Sequence, residues 1–366
     1  MDSTINDIYF DKAGICKYCN IHDFLEKRYP VDSQRVLKIV EKIKHKSKGK
    51  KYDCIVGVSG GRDSSYLLYT AVKMGLKPLA VHFDNGWNSE IAVSNIRHLL
   101  QILNVELTTI VADWEEFKQM QIAFLKASVP DVDIVTDYAI YSVLYETAAK
   151  HKIPFVLNGH SFRTEGSVPV SWTYMDGRYI RSVNKRYNNT SAPTSFPMLT
   201  LLRFVYLSMF KRIKEVRLLE MLDYNKNQVD PLLEEQCNWK DYGGHHHECH
   251  YTKFIQTYFL PLKFGIDKRI VELSTRIRTG KLSKEEAKKL LSSSAAVVES
   301  QSTIEYVLKK LSLSKQAFND ILKLPVKSHT DFKTYKSLIV FLKLPIKWLA
   351  KIGVLPYILY LKYASK

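Results

Sequence analysis

Seven residues, Ser59-Gly60-Gly61-Arg62-Asp63-Ser64-Ser65, sit between a β-branched run, Tyr52-Asp53-Cys54-Ile55-Val56-Gly57-Val58, and a stretch of helical apolar spacing from Tyr66 to Met74 that ends at Gly75. Strand, glycine turn and helix start in that order aim backbone N–H groups and a helix dipole at one point, the layout that holds an anion. Gly60 and Gly61 let the backbone approach a ligand closely, and Ser59, Ser64 and Ser65 add hydroxyl donors. The Gly-Lys-Ser/Thr ending of a Walker loop is missing, so the turn is of another kind.

An alternation surrounds the turn. The pattern predicts strand 53–58, helix 63–75, strand 78–83, helix 89–103, strand 105–111, helices 114–127 and 137–151, and strand 153–157, preceded by a basic helix over 32–48. Strands separated by helices imply right-handed βαβ crossovers and a parallel sheet covered on both faces. The expected fold is therefore α/β, a parallel doubly wound sheet with a mostly helical C-terminal region. Ligands of such sheets bind beyond the carboxyl ends of the strands, where the glycine turn lies.

From about residue 160 the texture changes to a polar, aromatic loop (160–195), a helical pattern (196–222), a turn-rich stretch (223–249) and short helices to about 324. Four regions follow: an N-terminal Cys-x-x-Cys knuckle at 1–31, the nucleotide-binding domain at 32–195, a helical substrate or partner region at 196–330 and a basic tail at 331–366. The tail holds seven lysines and one acid among apolar residues such as Phe341, Trp348, Leu349 and Tyr360. Lys336, Lys343, Lys347 and Lys351 fall near one helical face, with Pro345 and Pro356 expected to interrupt it. Such a tail suits either an anionic bilayer or a docking partner, or packs on its own domain with solvated lysines.

The charge balance, 54 basic against 37 acidic side chains and a net +17, favours anionic partners. Five cysteines, an odd number, argue for a reducing cytoplasm rather than a disulfide framework. No apolar run reaches the ~18 residues of a membrane span.

Two further strand ends carry candidate ligands. The second strand ends His82-Phe83-Asp84-Asn85-Gly86-Trp87, where Asp84 suits ribose or adenine or forms a plain Asn-Gly turn. The strand at 153–157 ends Asn158-Gly159-His160, followed by Arg163-Thr164-Glu165-Gly166. Gly159 permits close nucleotide approach, and Arg163 can neutralise phosphate charge. Asp131, Asp133 and Asp137 stand ready to position magnesium, cap the following helix or face solvent.

The string Ser-Gly-Gly-x-Asp-Ser resembles the PP-loop of ATP pyrophosphatases, and the later Gly-His element matches a comparable element of those enzymes. Asp137-Tyr138-Ala139-Ile140, Asn158-Gly159-His160, Thr164-Glu165-Gly166, Ser171-Trp172, Trp239-Lys240-Asp241-Tyr242-Gly243-Gly244-His245-His246-His247-Glu248 and Leu260-Pro261-Leu262-Lys263-Phe264-Gly265-Ile266-Asp267-Lys268-Arg269 resemble the N-acetyl sugar amidotransferase family of surface-polysaccharide pathways, with motifs in order from about residue 5 to 300. The resemblance implies an enzyme that adenylates the acetamido carbonyl of a nucleotide-linked sugar with ATP and Mg²⁺. Ammonia from a separate glutaminase then displaces AMP to leave an acetamidino group, for lipopolysaccharide or O-antigen synthesis. Ser59, Gly60, Gly61, Asp63, Ser64 and Ser65 would bind pyrophosphate; Asp84 and Gly159 would flank the nucleoside. Asp63, Arg163, Glu165, His246, His247 and Glu248 would act on the phosphates, the sugar or the reacting amide.

His245-His246-His247-Glu248 admits a metal reading, a substrate or catalytic contact, or structural hydrogen bonding; adjacent histidines point different ways, so at most two can share an ion. Cys16-Lys17-Tyr18-Cys19 has the spacing of a zinc knuckle. The family has an earlier Cys-x-x-Cys, which would complete a four-cysteine Zn²⁺ ribbon; here the chain starts at Met1-Asp2-Ser3-Thr4, where that pair should have ended, so either the start is truncated or misassigned, or this member replaced the pair with residues such as His22, Cys237 or Cys249. Cys54, inside a strand, reads as core. A PP-loop tRNA thiolation enzyme and a non-enzymatic nucleotide-binding membrane scaffold are the alternatives; the later motifs speak for a sugar over nucleic acid.

Overall fold

The computed structural model describes residues 1–366 apart from 2, 4, 6, 189–194, 245, 293–300, 356, 365 and 366; His245 and Pro356 of the sequence motifs thus lie outside the described residues. Five strands, β1 (Cys54–Gly57), β2 (Pro78–Asp84), β3 (Leu107–Val111), β4 (Phe155–Leu157) and β5 (Lys214–Val216), form one parallel sheet in the order β3-β2-β1-β4-β5. Helices α1 (Lys17–Arg28) and α2 (Ser33–Lys46) precede β1; α3 (Arg62–Lys73), α4 (Glu90–Leu103), α5 (Trp114–Ala127) and α6 (Ile134–Lys150) fill the crossovers, and α7 (Gly177–Asn188) follows β4.

Both faces of β1, β2 and β4 are buried, edge strand β3 leaves Leu107, Thr109 and Val111 exposed, and the pleat sorts the buried residues between the faces. Ile55, Leu79, Val81, Phe83 and Val156 join a core with α5, α6 and α7. Cys54, Val56, Ala80, Phe155 and Leu157 face the opposite core with α2, α3 and α4. This alternation over two apolar faces is why the strands read as continuous apolar runs. Strand order reverses between β1 and β4, so a crevice opens above their carboxyl ends, the usual ligand position of doubly wound sheets.

The sheet continues past residue 195. β5 pairs with β4, and helix 226–237 packs Val229 and Leu233 into the α3–α4 core, so the stretch read as helical over 196–222 contains the fifth strand. Lys214-Glu215-Val216 is short and charged, and gives no apolar run by which a strand would be recognised. Tyr251, Phe254, Phe259 and Phe318 extend the α5–α6 core, whereas Ala350, Tyr357 and Tyr360 form a small cluster of their own.

The tail is ordered into helices Lys336–Phe341, Lys343–Lys351 and Tyr357–Tyr363. The first interruption falls at Leu342. Pro345 sits in the first turn of its helix, where the missing N–H breaks no intrahelical bond.

Candidate active site

The crevice above β1 and β4 is built from the glycine turn upward. Gly60 has φ +78°, and a Cβ there would overlap the Ala92 carbonyl, so only glycine fits. Its own carbonyl accepts from Asn95 Nδ2 at 3.1 Å and Trp239 Nε1 at 3.0 Å. Ser59 N–H donates to Ser64 Oγ at 3.2 Å, Ser64 Oγ donates to the Gly61 carbonyl at 3.1 Å, and Gly61 N–H donates to Ser59 Oγ at 3.2 Å. Ser65 is buried with its hydroxyl unpartnered. The turn is pre-organised at the N-terminus of the 12-residue helix α3, where a dipole favours negative charge. Arg62 points away from this turn: its guanidinium pairs with Asp230, and its N–H donates to Tyr242 Oη at 3.1 Å. These contacts fasten the segment 226–242 to the start of α3.

Gly159 lies against the first turn of α3, with its Cβ position 3.4 Å from the backbone of Asp63 and Ser64. The Asp63 carboxylate accepts from Tyr224 Oη and, at 3.4 Å, from Thr164 Oγ1. Burial, reinforced by the charge of Glu165, pushes its pKa up to about 6. Glu165 meets His160 Nδ1 at 2.6 Å and raises the pKa of that imidazole. The two carboxylates and the phosphate turn therefore share one small volume, with negative charge already crowded before any phosphate enters. That donor set fits a divalent cation, since Mg²⁺ takes carboxylates together with phosphate oxygens.

Glu248 closes the opposite side. It is buried, its Oε2 has no partner, and a Cβ on Gly61 would stand 2.8 Å from its Oε1. Two backbone hydrogen bonds, which together make the Asn88–Cys249 bridge, hold it there: Ser89 N–H donates to the Glu248 carbonyl at 2.8 Å and His250 N–H to the Trp87 carbonyl at 2.9 Å. His246, in the left-handed region at φ +61°, places Nδ1 3.7 Å from Glu248 Oε1. Burial alone would lower its pKa; the hydrogen bond to Glu248 and its charge outweigh this and raise it to about 9. The His247 ring folds back over Gly244.

Among the sequence-predicted residues, Ser59, Gly60, Gly61, Asp63, Ser64, Ser65, Gly159, Glu165, His246 and Glu248 belong to this crevice. Arg163 does not face it as expected. Its guanidinium is taken by Glu26 at 2.7 Å, the Tyr29 carbonyl at 2.8 Å and the Glu220 carbonyl at 3.1 Å. It clamps α1 to the 218–220 turn. Asp84 Oδ1 accepts from Gly86 N–H at 2.9 Å and Asn88 Nδ2 at 3.4 Å, which shapes the β2–α4 turn, and the residue lines a groove with His82, Asn88 and Arg97. Asp131 is buried under Tyr179 Oη at 2.6 Å, and Asp133 accepts from Thr252 Oγ1 at 2.7 Å; neither is solvated.

Several residues were missed. Arg217 follows β5, pairs with buried Glu215 at 2.7 Å, and replaces Arg163 as the arginine at the strand edge. The charges of Lys268 act on His246 and Asp133, and Lys362 of the tail feels Asp137, Lys268 and Arg217. Tyr224 came from the turn-rich stretch and carried no signal; Lys268 stood within a quoted motif but was given no role.

The knuckle lies apart from the crevice. Cys19 N–H donates to Cys16 Sγ at 3.3 Å, as in a metal-binding turn. One helical turn further, His22 is buried with no hydrogen bond to its ring nitrogens, and its Nδ1 stands 4.0 Å from Glu26 Oε2. Among the described residues the donor atoms close enough together to share one ion are those of His22, Asp23 and Glu26, not those of Cys16, Cys19 and His22. Cys237 belongs to the α3–α4 core and Cys249 sits beside Asn88, so neither completes the set. Cys54 is core, its thiol raised by burial.

Residues 248–345 match the family model described as LPS biosynthesis protein WbpG-like, C-terminal domain. An uncharacterised protein of Methanocaldococcus jannaschii, MJ1599, is 25% identical over 294 residues, covering 78% of this chain and 87% of that protein. NMN synthetase from Francisella tularensis aligns at 14% identity and TM-score 0.36, covering 82% of this chain and 97% of that one. NH3-dependent NAD synthetase from Campylobacter jejuni aligns at 17% identity and TM-score 0.34, covering 81% and 99%. The residue at which the family match begins, Glu248, is the one that closes the crevice. Residues 248–345 are thus similar to the WbpG-like C-terminal domain, and they follow a parallel α/β domain that carries the Ser59–Ser65 glycine turn.

Proposed function

We propose that this chain is the synthetase subunit of an ATP-dependent sugar amidotransferase. It would convert the acetamido group of a nucleotide-linked N-acetyl sugar into an acetamidino group, with ammonia from a separate glutaminase. The observation that carries the reading is the position of Glu248, brought by the WbpG-like domain against Gly61 with an unpartnered Oε2.

In the first half-reaction the amide oxygen attacks the α-phosphorus of ATP and pyrophosphate leaves, which turns a poor leaving group into a good one. The Ser59–Ser65 turn and the α3 N-terminus receive the expelled phosphates. Asp63, with Glu165 nearby, would hold a Mg²⁺ ion, which would supply positive charge against the phosphates. Lys268 and Lys362 would supply further positive charge for the nucleotide sugar. In the second half-reaction ammonia adds to the activated carbon, a proton passes to Glu248 Oε2, and AMP departs to leave C=NH where C=O stood. His246, its pKa raised to about 9, stands 3.7 Å from Glu248 Oε1 and orients the side chain for this transfer.

Cys249, the thiol next to this centre in sequence, is pushed up to about 12 by burial, which weighs against a thiolation chemistry that needs a thiolate. The test is incubation with ATP, Mg²⁺, ammonium and a panel of UDP- and CMP-linked acetamido sugars. The reading expects AMP release that depends on the sugar and a product in which oxygen is exchanged for NH. AMP release indifferent to every sugar, or none at all, would overturn it.

A further inference from the structure

The C-terminal segment 336–352 divides its side chains into three sectors. Ile339, Ile346 and Ala350 turn inward and pack with Tyr357 and Tyr360 of the last helix. Leu338, Phe341, Leu344, Trp348 and Ile352 turn outward, with Phe341 83%, Leu344 75% and Trp348 61% exposed. They stand three, three, four and four residues apart, Leu338 and Phe341 on the first helix and Leu344, Trp348 and Ile352 on and just beyond the second, a stripe about 21 Å long at the helical rise. Lys336, Lys347 and Lys351, also exposed, run along one border of that stripe with Lys343.

The stripe is held in place from behind. Tyr357 stacks on Phe24 of α1 at 5.2 Å and lies under Arg28 at 4.4 Å; Tyr363 meets Tyr174 at 5.6 Å. Arg28 Nη2 donates to the Lys351 carbonyl at 3.5 Å. An apolar face this exposed on a tethered element is not an unpacked end of the core; it is presented outward.

We propose that this face lies on an anionic lipid bilayer, with Phe341, Leu344 and Trp348 entering the headgroup boundary and the bordering lysines meeting lipid phosphates. Charge selects the occupant. No acid occurs between Phe332 and Ala364, so the segment that carries the stripe is itself cationic. The outward side chains include one tryptophan and one phenylalanine, which partition well at a membrane interface, and few groups able to make the neutral hydrogen bonds of a protein rim. No helix of the described residues is long and apolar enough to cross a membrane, so the contact is with the surface.

The test uses the full chain in vesicle flotation, with phosphatidylcholine alone and with phosphatidylglycerol added. The chain is expected to float with the anionic vesicles and to lose binding as salt rises. The triple variant Phe341→Ser, Leu344→Ser, Trp348→Ser should bind at least about tenfold more weakly. Charge removal at Lys343 and Lys347 should weaken binding about fivefold for each lysine. Because these side chains are exposed or half-exposed, the unfolding midpoints of the variants should match the parent, which separates lost binding from lost folding. Trp348 emission, taken as the difference from Trp348→Phe, should shift to the blue on anionic vesicles. Equal binding to neutral and anionic vesicles, or undiminished binding by the triple variant, would overturn the proposal. So would a chain that ignores vesicles and forms dimers that the triple variant disperses.

Discussion

Glu248 stands so close to Gly61 that a single methyl group on the glycine would come within 2.8 Å of its carboxylate. The two residues belong to distant parts of the chain, one in the glycine turn and one at the start of the segment that matches the WbpG-like family model. Their contact joins the expected adenylation chemistry to the expected amination chemistry. Gly61→Ala should therefore displace Glu248 without unfolding the sheet. Steady-state AMP formation should fall at least about a hundredfold, the scale of losing one positioned catalytic group. Glu248→Gln should match that loss while leaving ATP affinity, measured by calorimetry, within about threefold.

Gly60→Ala is a different case. Its positive φ and the Ala92 carbonyl both oppose a side chain, so stability itself should fall by about 2 kcal/mol or more in urea unfolding. A neutral result would mean that the turn relaxes away from Ala92.

Asp63 carries a pKa of about 6 in the fold against 3.8 for the free side chain. A carboxyl raised in the fold binds more protons there than in the unfolded chain, so stability rises as pH falls from about 6 towards 3.8. Above pH 6 the buried charge costs the fold up to about 3 kcal/mol. Asp63→Asn should consequently melt higher than the parent at pH 7.5, lose that advantage near pH 4, and form no AMP. Melting curves at both pH values check the sign.

His246 runs the other way. Its pKa of about 9 lies above the ordinary 6.5, so the His246–Glu248 pair stabilises the fold fully below pH 6.5 and ceases to do so as pH passes 9. Glu248→Gln should flatten the stability profile between those limits and return the His246 titration, followed by NMR, towards or below its ordinary value.

Arg163 and Lys268 should separate structure from substrate binding. Arg163→Ala removes the clamp on α1 and should destabilise the chain by about 2–4 kcal/mol, with early proteolysis of α1. Lys268→Ala should leave the unfolding midpoint within error and raise KM for the sugar nucleotide about tenfold, the worth of one partly screened charge contact.

The sequence alone determined the parallel sheet, the glycine turn and the Gly-His element, because each is local. β-branched runs bounded by helical periodicity define buried strands, and Gly60 meets a backbone demand that no other residue satisfies. β5 stayed hidden because Lys214-Glu215-Val216 is stabilised by its partners, Glu215 with Arg217 and Asn158, and not by apolar content of its own. Arg163 was misread for the same reason: its place in the chain suggested phosphate, whereas Glu26, Tyr29 and Glu220, distant in sequence, claim its donors. Only the tertiary structure decided that Glu248 meets Gly61, that Tyr224 caps Asp63 and that Trp348 faces outward while Ala350 is buried. Those outcomes depend on which surfaces pack together, and a charged side chain keeps no record in the sequence of the partner that folding brings to it.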